Sequence, residues 1–553
     1  MIKDRTNEIT KAFAELRFKP REGQIKICND ILSAYIDEGM QNVLLCADTG
    51  VGKSIIAAVV ANVLGEKNQN DRKAVFISST NSLVNQYADT FVDQPDEEFF
   101  RIKGASNYQC NYFVSKSGKE TSAEECVSKE LTEIEKNRFC SKCDFKKAKE
   151  QINNTENLIT NYSYFMIGRL LTKHVNPRNL HVFDEAHLMN DVFCDQFGIA
   201  LSVVQIDKQV AELKTVMNGK ANNFIADLVM LRDNIKHKMI NGSNYNDYLI
   251  TAKRIYGGIA RLASQHSSLI PDMSVKAKMK KVASKYAGIQ TSIAEFFIHA
   301  YDHVFDDSIP DQIAVKPIFI SKMINGMLAR HNLFMTATLS LDFAKTTLNL
   351  DEKTTKYIDA APVFPASNRP LFFVGKDSLN YAKMQQPSTF TEIGNIVNLI
   401  AQNHSNDKGI MLVPSFSTGR QICQHLNGVK VFEHIVGTKI IDVMKNFKEY
   451  RGPAILVSPS IFEGLDFQND QSRYQIIVKT PFAMLGDKRI KRIAEEYPNI
   501  YREIALYKII QGIGRSIRSP SDFAATYFLD KSSETLFNSN LNGWKHRFEV
   551  MTK

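Results

Sequence analysis

At 553 residues, with 44% hydrophobic and 23% charged side chains, the chain has room for roughly three to four domains and the composition of an ordinary globular protein. The longest strongly apolar run, residues 55–65, falls short of the ~20 residues a bilayer crossing takes, and the N-terminal stretch lacks the apolar segment of a signal peptide, so a soluble cytoplasmic protein without a membrane partner is expected. A net charge of +9 points to polyanionic partners, nucleic acid first among them.

The first chemistry-bearing element is NVLLCADTGVGKSIIAAVVANVL (42–64): an apolar strand over Val43 to Cys46, a glycine-bearing loop, and an apolar run with helical spacing. That order is what a P-loop requires. Gly50 and Gly52 let backbone N–H groups turn toward a phosphate, with Asp48, Thr49 and Val51 completing the loop. The helix starting near Lys53 aims its positive end at the same charge. Lys53 is expected to neutralise the β- and γ-phosphates of ATP, and the Ser54 hydroxyl to hold Mg²⁺. Ala47 stands where the strict pattern has its first glycine.

Next come Cys110, Cys126, Cys140 and Cys143, half of the eight cysteines, spaced C-x15-C-x13-C-x2-C in an otherwise polar stretch. Persistent disulfides are rare in reducing compartments, so the group reads as metal ligation. Four thiolates suit tetrahedral zinc or a [4Fe-4S] cluster, and ligand count does not choose between them. Only one close pair is present, where zinc sites usually show two.

A second apolar strand ends in NLHVFDEAHLM (179–189). Alone, such an acidic turn could simply be solvated; paired with Lys53 and Ser54 it supplies a metal acid, Asp184, and a carboxylate, Glu185, to orient or deprotonate an attacking water. Residues 200–310 read as helices. Within them SVKAKMKKVASKYAG (274–288) places Val275, Met279, Val282 and Tyr286 on one stripe, with Lys276, Lys278, Lys280, Lys281 and Lys285 around it. Such a face is either solvated or laid along a nucleic-acid backbone. Far downstream, YKIIQGIGRSIRSP (507–520) carries Arg515 and Arg518 three apart, expected on one helical face as a pair of guanidiniums for the charge on a transferring phosphoryl, with Gln511 in the same segment.

These motifs, in this order, resemble a superfamily 2 helicase, and FEGLDF (462–467), PF (481–482) and QGIGRSIR (511–518) together resemble the XPD and DinG iron-sulfur helicases. FKPREGQ (18–24) is similar to that family's Q-motif, which implies Gln24 on the adenine with Arg21 nearby. VFISSTNSLVNQY (75–87) resembles motif Ia and NLFMTATLS (332–340) motif III, whose Thr336 and Thr338 would couple the ATP state to DNA. GIMLVPSFST (409–418) and the stretch from 455 to 482 resemble motifs IV and V, with Asp466 expected at the ATP.

The resemblance implies two RecA-like α/β motor domains, ATP and Mg²⁺ between them, and 5′ to 3′ movement on single-stranded or forked DNA held through Thr80, Ser415 and Ser460. It also implies that the four cysteines hold a [4Fe-4S] cluster rather than zinc. The organisation expected is motor domain 1 over 1–104, 151–199 and 311–345, a cluster domain over 105–150, a helical arch over 200–310, and motor domain 2 over 346–553, working as a monomer. No nuclease signature is visible.

Overall fold

The computed structural model describes residues 3–551 apart from 22, 49, 67–71, 92–97, 111, 113–120, 124–132, 299–301, 322, 363, 461–466, 468, 518–521 and 540–545. Its strands begin with β1 (Asn42–Cys46), β2 (Ala74–Ser78), β3 (Phe99–Arg101), β4 (Asn157–Asn161) and β5 (Leu180–Asp184). Three short strands follow, β6 (Ile199–Ser202), β7 (His303–Asp306) and β8 (Gln312–Pro317), then β9 (His331–Thr336) and β10 (Thr355–Asp359). The last group is β11 (Pro370–Phe373), β12 (Lys408–Leu412), β13 (Lys430–Glu433), β14 (Ala454–Ser458), β15 (Tyr474–Ile477), β16 (Ala525–Phe528) and β17 (Glu549–Val550).

Two seven-stranded sheets result, in the orders β10-β1-β9-β5-β2-β4-β3 and β13-β14-β12-β15-β16-β11-β17. Every pairing in them is parallel. The sequence explains this: NVLLC, AVFIS, LHVFD and AILVS are buried at all five positions, as strands covered by helices on both faces must be. These are the two RecA-like parallel-sheet domains. One apolar cluster joins them, running from Phe183 and Phe334 in the first sheet through Phe343 and Ile509 to Ile477 and Phe528 in the second.

Between β5 and β9 the chain leaves the first sheet and builds a separate body. Helices Val203–Met217, Asn222–Lys236, Tyr245–Leu269 and Met273–Ile298 pack around their own core, where the Tyr256 and Tyr286 rings stack at 5.8 Å. Met279, Val282 and Tyr286 face that core, but Val275, expected with them, is 37% exposed. The all-helix reading of 200–310 misses β6 and β7, which pair with β8 just beyond it in an antiparallel sheet, β6-β8-β7. Its longest strand is six residues, and β6 pairs with β8 across more than a hundred residues of chain, so no local pattern announces it.

Candidate active site

Register in the first sheet sets the site. β9 lies between β1 and β5, with Cys46 beside Thr336 and Asp184 beside Met335. The loop after β1 and the acidic pair after β5 therefore leave the same edge of the sheet, two strand spacings or about 10 Å apart. The carboxyl ends of parallel strands are where such folds bind ligands.

The phosphate loop is held from behind by the residues just ahead of helix Gln24–Ile36 and at its start. Gln24 Nε2 donates to the Val51 carbonyl at 2.7 Å while its Oε1 accepts the Arg21 N–H at 2.8 Å. Arg21 Nη1 donates to the Gly50 carbonyl at 3.1 Å. Gln24 is thus buried against the loop backbone, with its amide committed on both ends. Gly52 is required twice over: its φ is +83°, and a Cβ there would stand 2.6 Å from Gln24 Nε2. Lys53 Nζ donates to the carbonyls of Ala47 and Asp48 at 3.1 and 3.3 Å, inside the curl of the loop. Lys53 and Ser54 open helix Lys53–Glu66. Thr49 lies outside the described residues.

Asp184 is 7% exposed, and its Oδ1 is a buried oxygen without a hydrogen-bond partner. Burial first, and then the Glu185 charge, hold its carboxyl above the usual carboxylate range, with Lys53 pulling the other way. A buried acid with one unpartnered oxygen, close enough to Lys53 to feel its charge, has the donor chemistry that Mg²⁺ takes. Glu185 follows in a left-handed conformation, φ 51° and ψ 48°, which for a non-glycine residue costs about 1–2 kcal/mol. Strain of that kind collects at functional positions.

His187 carries no role in the expectations above, yet it connects the site to the other domain. Its Nδ1 lies 3.1 Å from Thr336 Oγ1 and 3.4 Å from Glu185 Oε2, and its Nε2 meets Gln511 Nε2. With Gln511 donating, Nε2 is the acceptor and Nδ1 carries the proton. Thr336 passes the contact on to Thr338 Oγ1 at 3.3 Å. The signal for it is the last letter of DEAH, three residues past the metal acid. Beside this chain, Ser340 Oγ donates to buried Glu503 at 2.8 Å and Tyr507 OH donates to the same carboxylate, tying the end of the TATLS segment to helix Pro498–Ile513.

That helix ends at Ile513, so Arg515 stands in the turn after it rather than on the helix expected to carry it. Gly512 and Gly514 weaken its last turn, the Arg515 carbonyl is taken by the Phe467 N–H at 3.0 Å, and Ser516 Oγ donates to Ser472 Oγ at 2.8 Å. Arg515 is half-buried in the turn that follows. Arg518 lies outside the described residues, as do Asp466 and Cys126.

The three residues expected on DNA are all exposed. Thr80 caps helix Asn81–Phe91, its Oγ1 accepting the Leu83 N–H at 3.3 Å, and Ser415 caps helix Phe416–Cys423, accepting the Thr418 N–H at 3.1 Å. Ser415 and Ser460 line one groove of about 1200 Å³ on the second domain, together with Lys479, Lys508, Tyr381 and Phe482. Thr80 stands apart from it on the first domain.

Two family models match, one described as "Type III restriction enzyme, res subunit" over residues 17–213 and one as "Helicase C-terminal domain" over 396–545. Among curated proteins the chain is 22% identical over 388 residues to a 3′-5′ exonuclease DinG of Staphylococcus aureus, covering 66% of this chain and 40% of that protein. It is 20% identical over 423 residues to the ATP-dependent DNA helicase YoaA of Escherichia coli, covering 69% of this chain and 65% of that one. The chain thus spans less than two thirds of the length of these relatives. Among solved structures, one titled as an XPD helicase superposes with a TM-score of 0.63 at 15% identity over 96% of this chain and 99% of that one. S. tokodaii Xpd4 gives 0.60 at 14% over 96% and 100%. By sequence the chain is similar to DinG and YoaA, and its fold is that of the XPD-like superfamily 2 helicases.

The chain carries its cysteine segment between β3 and β4, inside the first parallel-sheet domain. Cys110 is buried, its N–H donating to the Thr121 carbonyl at 2.8 Å. Cys140 and Cys143 frame a single turn, with the Cys143 N–H donating to the Cys140 carbonyl at 3.3 Å ahead of helix Asp144–Gln151. None of the described cysteines is in a disulfide, so the donors have the right chemistry for a thiolate-bound centre. Among the described residues, however, no three of them converge on one point. Nor is any helix among those residues long and apolar enough to cross a membrane.

Proposed function

We propose that the chain is an ATP-dependent DNA helicase that moves 5′ to 3′ along a single strand and separates duplex strands. The observation that carries this reading is the contact between His187, two residues from the water-orienting Glu185, and Gln511 of the second motor domain. Hydrolysis chemistry and domain closure are joined at that one point. Similarity to YoaA of Escherichia coli, an ATP-dependent DNA helicase, supports the choice of substrate.

In this mechanism the triphosphate enters the loop and Lys53 exchanges the Ala47 and Asp48 carbonyls for phosphate oxygens, so the charge is met by a group already in place. Ser54 and Asp184 would hold Mg²⁺, which supplies charge neutralisation across the β- and γ-phosphates. Glu185 positions the attacking water and takes its proton. Arg515 and Arg518 approach the γ-phosphoryl from the second domain. Asp466 and the loop backbone at Thr49, Gly50, Val51 and Gly52 complete the nucleotide contacts. His187 and Gln511 make closure of the cleft part of the same event, and Thr338 carries it toward the DNA side.

DNA would lie across both domains. The caps Thr80 and Ser415 present helix N-termini to phosphates, and Tyr381 and Phe482 offer stacking surfaces in the groove on the second domain. The insert over 200–310 is proposed as the arch. The insert over 105–150, with Cys110, Cys126, Cys140 and Cys143, is proposed to hold a [4Fe-4S] cluster; no step above depends on it. Iron and sulfide analysis of the purified protein tests that part, and stoichiometric zinc would reverse it.

The motor reading is tested with Lys53→Ala and Glu185→Gln. DNA-stimulated ATP turnover is expected to fall by roughly 10²- to 10⁴-fold in Glu185→Gln, the range lost with a general base. Normal turnover in either variant would sink the assignment. Forked duplexes with a single 5′ or 3′ tail, in DNA and in RNA, decide polarity and substrate: unwinding only from a 3′ tail, or only of RNA, would overturn the reading.

A further inference from the structure

Asp48 is an odd residue for a phosphate loop, because a carboxylate there faces the charge the loop exists to bind. The structure shows where that charge goes. Asp48 Oδ1 pairs with Arg547 Nη1 at 2.7 Å and its Oδ2 with Arg369 Nη1 at 3.3 Å. All three residues are buried, at 6%, 2% and 5% exposure. Arg547 also pairs with Asp359 at the end of β10 and donates to the Ala360 carbonyl at 3.4 Å. Arg369 lies over the rings of Phe364 and Phe548 at 5.6 and 5.0 Å and donates to the Phe364 carbonyl at 2.9 Å.

Neither arginine belongs to the first motor domain's sheet. Arg369 directly precedes β11, and Arg547 lies two residues ahead of β17, the edge strand that pairs with β11. Since β10 is the edge of the first sheet and β17 the edge of the second, Arg547 spans the seam between them, touching the phosphate loop on the way. Two carboxylates and two guanidiniums balance there, Asp48 and both arginines with little water to screen them and Asp359 at the exposed rim. The Asp48 carbonyl, in turn, is one of the two that hold Lys53 Nζ.

We propose that Arg369 and Arg547 are positioning residues for nucleotide binding: they draw the Asp48 carboxylate out of the phosphate pocket, cancel its charge, and so fix the loop and the resting place of Lys53 from the second domain and its last strand. The proposal rests on the ATP-motor reading. It goes beyond it in making a C-terminal residue necessary for a pocket almost 500 positions earlier in the chain, at Asp48.

The test is equilibrium binding of a fluorescent ATP analogue with Mg²⁺ to the full chain, beside its melting curve. Arg547→Gln is expected to weaken binding by about tenfold or more, because it leaves a buried carboxylate half-paired beside the triphosphate. Arg547→Lys should retain most of the affinity. The double variant Asp48→Asn/Arg547→Gln should recover binding to within about threefold of the parent, since the stranded charge is gone. A merely structural role for Arg547 predicts no such rescue. Equal binding by parent and Arg547→Gln, or loss in the double variant as deep as in the single, overturns the clasp while leaving the motor reading intact. An unsubstituted chain that does not bind ATP overturns both.

Discussion

Replacing His187 with Ala separates chemistry from closure in a way that can be measured. His187 is 7% exposed, with Thr336 and Glu185 on its Nδ1 side and Gln511 on its Nε2 side. The substitution takes the His187 partner from the Gln511 amide, while the Thr336 hydroxyl keeps Thr338, and a buried group left without its partner costs about 1–3 kcal/mol. If that cost falls on the closed state alone, kcat for DNA-stimulated ATP turnover drops by roughly 5- to 150-fold, with each tenfold step equal to about 1.4 kcal/mol. The KM for ATP should change little, because Lys53, Gly52 and Gln24 are untouched. Gln511→Ala should show the same kcat-selective loss. The double variant should be no worse than the more damaged single one, giving a coupling energy of roughly 0.5–3 kcal/mol. Strict additivity, or a rise in KM with kcat unchanged, would refute the idea that this pair links hydrolysis to domain closure.

Three further outcomes are expected. Gly52→Ala pays about 1–2 kcal/mol for its left-handed backbone and displaces Gln24 from the Val51 carbonyl, a further ~1 kcal/mol, so ATP titration should show an affinity lower by an order of magnitude or more; unchanged affinity would mean the loop is not held from behind by Gln24. His181, buried on β5 with Nδ1 donating to the Met327 carbonyl at 2.7 Å, has its pKa lowered from 6.5 to about 3 by burial, with Arg169 and Arg178 adding to the effect. Because the folded value is the lower one, its stability contribution is whole above pH ~6.5 and is lost as the pH falls toward 3, at up to about 1.4 kcal/mol per pH unit; urea melts of His181→Gln should be flatter across that window than the parent's, and parallel curves would contradict it. Tyr381→Ala and Phe482→Ala should each weaken oligonucleotide binding, by about 1–3 kcal/mol per stacked base, in fluorescence anisotropy, and parental affinity in both would remove the groove from the DNA path.

What was legible in the sequence is the chemistry that sits within one strand, loop and helix. GVGKS and DEAH each follow a short apolar strand, and a parallel sheet brings the ends of such strands to one edge whatever their separation in the chain, so the loop with Lys53 and Ser54 and the pair Asp184 and Glu185 leave the same edge. Arg515 lies in a turn rather than on a helix because spacing of three is evidence only while the helix lasts, and Gly512 and Gly514 weaken its end at Ile513. β6, β7 and β8 were missed because six residues or fewer carry little periodicity, and their pairing depends on what the intervening helices bring together.

Asp48 marks the other limit. Inside the motif it reads as one more loop residue, and nothing nearby says that its carboxylate is turned away from the nucleotide. Its partners lie 321 and 499 residues further on, one just ahead of a strand and the other beside the last strand of the chain. Neither arginine stands in any motif, since burial and pairing, rather than spacing, give them their role. A long-range buried charge has to be neutralised by something, because an unpaired one costs too much to keep. An acid placed in a phosphate loop is therefore itself a sequence signal that a distant base must close over it. That signal says a partner exists; the fold alone says that the partner is Arg369 together with Arg547, and that the second parallel-sheet domain thereby reaches the loop after β1.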